Sequence, residues 1–64
     1  MTPDEAHKAV HTGQTVVARY ADGTVRYRGP IFGYTIVPAV LFEVDGKRDA
    51  WRVDMCEIAN EAGA

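Results

Sequence analysis

Five arginines, at positions 19, 26, 28, 48 and 52, carry the clearest chemical capability in this 64-residue sequence. A guanidinium offers a planar fork of donors that matches a carboxylate or a phosphate in bidentate fashion. Arg19, Arg26, Arg28 and Arg52 are therefore the candidate partner-binding residues, with Arg48 beside them. Glu43, Asp49 and Glu57 are the acids able to pair with them internally and leave a solvated face. A second set is aromatic: Tyr20, Tyr27, Phe42 and Trp51 could hold a cationic side chain against their ring faces. The same four rings are also what a small core requires, because large rings dominate buried area. His7 and His11, four apart, could share one helix face and bind a metal, with Cys56 as a conceivable third ligand. Two histidines on an exposed terminal helix are far more often solvated, so no metal site and no cofactor is expected.

Catalysis finds no support. Cys56 would need a base and an orienting group, and no histidine lies near it in sequence. No serine, cysteine or carboxylate pair has a plausible partner, and so short a chain cannot enclose a substrate unaided. The expectation is a non-enzyme with no catalytic residues.

Composition bounds the rest. A chain of 64 residues makes one domain that buries only about 60% of its unfolded surface, so stability is marginal and self-association would help it. Its 47% hydrophobic and 25% charged residues are ordinary for a soluble globular domain. Hydrophobic runs fall well short of the roughly 18 residues of a membrane span, and MTPDEAHK does not resemble a secretory signal. The single cysteine fits a reducing cytoplasm. A net charge of −2 weighs against a dedicated nucleic-acid binder.

These residues must be positioned by a few short elements. Thr2-Pro3-Asp4-Glu5 reads as a capped helix start, and Gly13 as the cap that ends a helix over 3–11. Gly13 to Gly29 reads as a β-hairpin about a two-residue type I′ turn at Asp22-Gly23. That register places Arg19 opposite Arg26 and Ala18 opposite Tyr27. Val16, Ala18, Tyr20, Val25, Tyr27 and Ile31 then share one face, turned to the core, and Val17, Arg19, Arg26 and Arg28 the other, solvent face, where two arginines directly opposite each other should repel. The second strand runs from Thr24 toward Phe32 with a kink at Gly29-Pro30, where proline cannot donate to a ladder. Gly33-Tyr34-Thr35 reads as a loop, and Val37 to Val44 as the third strand. A four-residue loop over Asp45 to Arg48 is preferred because it pairs Phe42 with Trp51 and Val40 with Val53. A strand over Asp49 to Val53, a 3₁₀ turn over Asp54 to Cys56, a brief strand around Glu57 to Ala59, and a frayed tail over 60–64 complete the chain.

The fold expected is mostly β: a small SH3-like antiparallel barrel of four to five strands over 13–59, with the short helix covering one end. The segments Val17-Ala18-Arg19-Tyr20-Ala21-Asp22-Gly23, Tyr27-Arg28-Gly29-Pro30-Ile31, Val40-Leu41-Phe42 with Asp45-Gly46, Trp51 and Glu57-Ile58 resemble the Tudor-type members of that class. The resemblance covers Gly13 to Ile58. It implies an aromatic cage of Tyr20, Tyr27, Phe42 and Trp51 for a methylated or cationic side chain, with Asp22, Asp45 or Asp49 at its rim. Plasmid-type dihydrofolate reductases are also SH3-like, but their Val-Gln-Ile-Tyr stretch has no counterpart here.

The functional expectation is a small cytoplasmic binding module or regulator, of a size found in bacterial, plasmid and phage proteins. Its favoured partner is a protein with an acidic surface, met by the arginine-rich strand face. A nucleic acid read through the same arginines is the alternative, and the aromatic cage is a third; no membrane partner is expected.

Overall fold

The computed structural model describes residues 1–59; the tail expected over 60–64 lies outside them. Helix α1 spans Pro3–Thr12, one residue beyond expectation. The Thr2 hydroxyl accepts from the Glu5 amide at 3.2 Å while the Glu5 carboxylate accepts from the Thr2 amide at 2.9 Å. These reciprocal bonds satisfy donors that a helix start leaves open, and they hold the Glu5 carboxyl below its ordinary pKa. Gly13 ends the helix in the left-handed region at φ 72°. Ala6 and Ala9 are fully buried in the core, so small side chains let the helix sit close against the strands.

Among the described residues six strands follow: β1 Val16–Arg19, β2 Val25–Gly29, β3 Gly33–Tyr34, β4 Ala39–Val44, β5 Lys47–Arg52 and β6 Cys56–Ile58. They form two antiparallel three-stranded sheets, in the orders β2-β1-β6 and β3-β4-β5. Backbone ladders among the described residues therefore do not close a barrel of four to five strands. The break falls after Gly29, where Pro30 has no N–H to offer a neighbour. Gly33 and Tyr34, expected in a loop, pair with Leu41 and Val40 instead.

The first hairpin departs from its expected turn. Gly23 N donates to Tyr20 O at 2.9 Å and Tyr20 N to Thr24 O at 2.8 Å, leaving a three-residue loop. A type I′ turn needs positive φ at both central residues, and only Gly23 has it here, at 91°. Asp22 instead accepts from the Thr24 amide at 2.8 Å, which keeps its carboxyl below the ordinary value. Ala18 faces Tyr27 as expected, but the register shifts so that Arg19 faces Val25, and Arg26 becomes the extra residue of a β-bulge. The expected Arg19–Arg26 repulsion does not arise. Val25 and Tyr20, expected on the buried face, are exposed, whereas Val17, expected on the solvent face, is buried.

The second hairpin also differs. Asp45 and Gly46 have φ of 53° and 79°, the signs a two-residue type I′ turn demands. This turn sets Phe42 opposite Asp49 and Val40 opposite Trp51, not the pairs expected from apolar matching. An acid opposite a core phenylalanine is tolerated because Asp49 meets Arg26 at 3.0 Å. β4 starts at Ala39 rather than Val37, β5 ends at Arg52, and a 3₁₀ turn occupies Val53–Met55 before β6. Each is shifted by one or two residues from expectation.

Phe42 lies fully buried between the sheets and stacks on Tyr27, with ring centroids 4.2 Å apart and planes within 10°. The Tyr27 hydroxyl donates to Pro30 O, which ties the kink to the core. A Cβ at Gly29 would come within 2.7 Å of that hydroxyl oxygen, so the close approach requires glycine. Phe42→Ala removes this ring at a cost of about 3–5 kcal/mol, comparable to the whole stability of so small a domain. The expected outcome is loss of the cooperative thermal transition by circular dichroism; a variant melting within a few degrees of wild type would contradict it.

Candidate functional site

The arginines do not form a single face. Arg19, at the end of β1, places Nη2 and Nε each 2.8 Å from Glu57 Oε1 on β6, and Nη1 donates to Gly23 O at 2.9 Å. Arg52, at the end of β5, meets Asp54 at 2.8 Å. Both pairs are solvent-exposed, and such pairs contribute about 0–1 kcal/mol. Arg28 lies opposite Val17 across the β1–β2 ladder. Arg48 stands over the Phe32 ring at 5.4 Å from its centroid.

Arg26 has the most enclosed setting of the three ion-paired arginines named here. Its guanidinium carbon is 5.8 Å from the Phe42 centroid and 5.9 Å from that of Trp51, and its side chain is 27% exposed. The cation–π attraction and the Asp49 carboxylate together hold the guanidinium at the junction of the two sheets. Glu57 and Asp49 were thus legible as internal partners; Asp54 was not.

The four aromatic residues form two pairs. Tyr27 stacks on Phe42, while Tyr20 meets Trp51 edge to face, with centroids 5.3 Å apart at 86°. The Trp51 indole N–H donates to Arg19 O at 2.8 Å, linking β5 to β1 across the sheets. An open cage needs accessible ring faces. Phe42 has none exposed, and the protein's own Arg26 stands over Phe42 and Trp51.

Several of these residues meet at one cleft. Between the 20–24 loop and the 3₁₀ turn lies a recess of about 300 Å³ lined by Arg19, Tyr20, Ala21, Asp54, Met55, Cys56 and Glu57. Met55 also borders a neighbouring hollow with Ala50, Trp51 and Arg52. The Arg19–Glu57 and Arg52–Asp54 pairs therefore flank apolar walls of Tyr20, Trp51 and Met55. Met55 carried no sequence signal, because a single methionine beside a turn has no period to reveal it. Ile36, and Val37 that was expected to begin a strand, lie in a loop closed by Thr35 N to Ala39 O, which leaves them 99% and 77% exposed.

The remaining candidates lie apart or are chemically quiet. Arg26, Tyr27 and Phe42 do not line the cleft. Cys56 is buried and donates to Arg52 O at 3.2 Å. Burial outweighs the opposing pull of the Met1 ammonium and, with a smaller contribution from the Asp54 charge, pushes its thiol up to about 11. A thiol so raised is a poor nucleophile at neutral pH. Among the described residues no three metal-ligating side chains gather, and no helix is long and apolar enough to cross a membrane.

The raised Cys56 value makes a pH prediction with a definite sign. Because the folded pKa exceeds the unfolded one, the stabilising contribution is complete below about 9 and is lost as pH rises toward about 11. Tyr27, raised by burial, acts in the same direction. Urea midpoints should therefore fall across that window, and iodoacetamide should label Cys56 only after denaturation. Rapid labelling of the native protein at pH 8 would contradict the assignment. No family model, no curated protein and no solved structure matches this chain.

Proposed function

We propose that this chain is a non-enzymatic binding module of SH3-like build, and that it captures a protein partner in the cleft between the 20–24 loop and the 3₁₀ turn. Support for the SH3-like reading comes from strand order: two sheets sharing a kinked Gly29-Pro30 passage, with a 3₁₀ turn ahead of a last strand that returns to β1. The observation that carries the binding reading is the pairing of an apolar wall with exchangeable charge. Tyr, Trp, Met and Arg are the residue types enriched where proteins meet, and Tyr20, Trp51, Met55, Arg19 and Arg52 border these two adjoining recesses.

The partner is an extended segment carrying acidic side chains. Because exposed ion pairs are worth little, a partner carboxylate replaces Glu57 at Arg19, or Asp54 at Arg52, with little loss, while an apolar side chain packs against Tyr20 and Met55. Arg26 takes no direct part in this capture, being held by Asp49 and the rings, and Arg28 borders neither recess.

The double variant Arg19→Ala/Arg52→Ala tests the reading. Capture of protein partners from nuclease-treated lysate should fall about tenfold or more, as for interface anchors generally, with the circular dichroism spectrum unchanged. Undiminished capture would overturn the proposal. Recovery that disappears on nuclease treatment would replace it with nucleic-acid binding.

A further inference from the structure

His7 and His11 lie on α1, away from the cleft, and both are exposed. One turn apart, they bring their Nε2 atoms to 3.0 Å, with ring centroids at 4.4 Å and planes at 75°. His7 is braced by Tyr34 of β3, edge to face at 5.5 Å. Capping at both ends and the buried Ala6 and Ala9 hold the helix in place beneath them.

Two nitrogens bound to one ion at about 2.0–2.1 Å lie roughly 2.8–3.0 Å apart at a right angle, and roughly 3.3–3.4 Å apart at the tetrahedral angle. The spacing of His7 and His11 matches the right angle. We propose that these two histidines form a bidentate site for a divalent transition-metal ion favouring cis square-planar or octahedral nitrogen donors, as Cu²⁺ and Ni²⁺ do.

As the rings stand, one Nε2 carries the proton of the hydrogen bond and the other accepts it. On binding, that proton transfers through solvent to Nδ1 of its own ring, both Nε2 lone pairs turn to the ion, and two waters leave it. Both imidazoles stay neutral and the ion keeps its oxidation state. Among the described residues no third His, Cys, Asp or Glu joins the pair, so water fills the other positions. Cys56, the conceivable third ligand, is buried and engaged with Arg52 O. Because the unfolded chain does not hold the rings at this spacing, the ion binds the folded state preferentially and stabilises it.

The experiment is titration of the full chain with Cu²⁺, followed by calorimetry, electron paramagnetic resonance and thermal melting. The expected spectrum carries two equatorial imidazole nitrogens, and saturating Cu²⁺ raises the melting midpoint by about 4 °C or more. His7→Gln and His11→Gln, both at exposed positions, should each fold normally yet weaken Cu²⁺ binding by about tenfold or more, because a chelate loses its effective concentration when one arm is removed. Single-variant affinities equal to wild type, or a midpoint unmoved by saturating Cu²⁺, would overturn the proposal.

Discussion

The one-residue bulge opposite Ala18 and Arg19 governs how the two sheets meet. It makes Arg26 supernumerary in β2 and turns that side chain toward Phe42, Trp51 and the Asp49 carboxylate of β5. Without the extra residue, Arg26 would stand opposite Arg19 on the outer face, where like charges repel. The bulge thus converts a repulsive cross-strand pair into two separate attractions, Arg19 with Glu57 and Arg26 with Asp49. One of these spans the sheets, beside the Trp51 indole bond to Arg19 O.

Smallness explains much of the remaining economy. Phe42 is the largest fully buried side chain, and around it stand valines, alanines, Ile31 and Cys56. With so little core, polar cross-links at the sheet junction matter for order as well as for energy. The Tyr27 hydroxyl bond to Pro30 O fixes the kink that separates β2 from β3, and Gly29 leaves the room for it. Helix α1 then contributes its two buried alanines to the same core, which is why an otherwise polar helix stays docked.

The proposed capture and the proposed metal site both rest on what these constraints leave at the surface. Arg19 and Arg52, each balanced by an exposed acid, are positioned by strand ends beside Tyr20, Trp51 and Met55. Arg26 is spent on the fold. On α1, the buried face fixes the opposite one, so His7 and His11 project together with Tyr34 against one of them. The cleft and the histidine pair therefore depend on different elements of the same small scaffold.

Local chemistry was legible in the residues themselves. Thr2, Pro3, Glu5 and Gly13 announced the helix and both its caps; Gly29-Pro30 announced the break; runs of strand-forming residues announced β1, β2 and β4, though not which side chains β1 and β2 bury, and Asp49 and Glu57 were recognisable partners for arginine. What required the tertiary structure was register. At Asp22-Gly23 and Asp45-Gly46 the same dipeptide made two different turns, because one aspartate adopts positive φ and the other does not. Matching apolar pairs favoured Trp51 opposite Phe42, but an acid is satisfactory there once Arg26 arrives from the other sheet. Likewise, nothing local marks Met55, Asp54 or Ile36. The sequence by itself determined the helix, the caps and the strand-forming runs, since these depend on neighbours along the chain; the bulge, the pairing of charges and the cleft were decided only by the packing of sheets whose residues lie far apart in sequence.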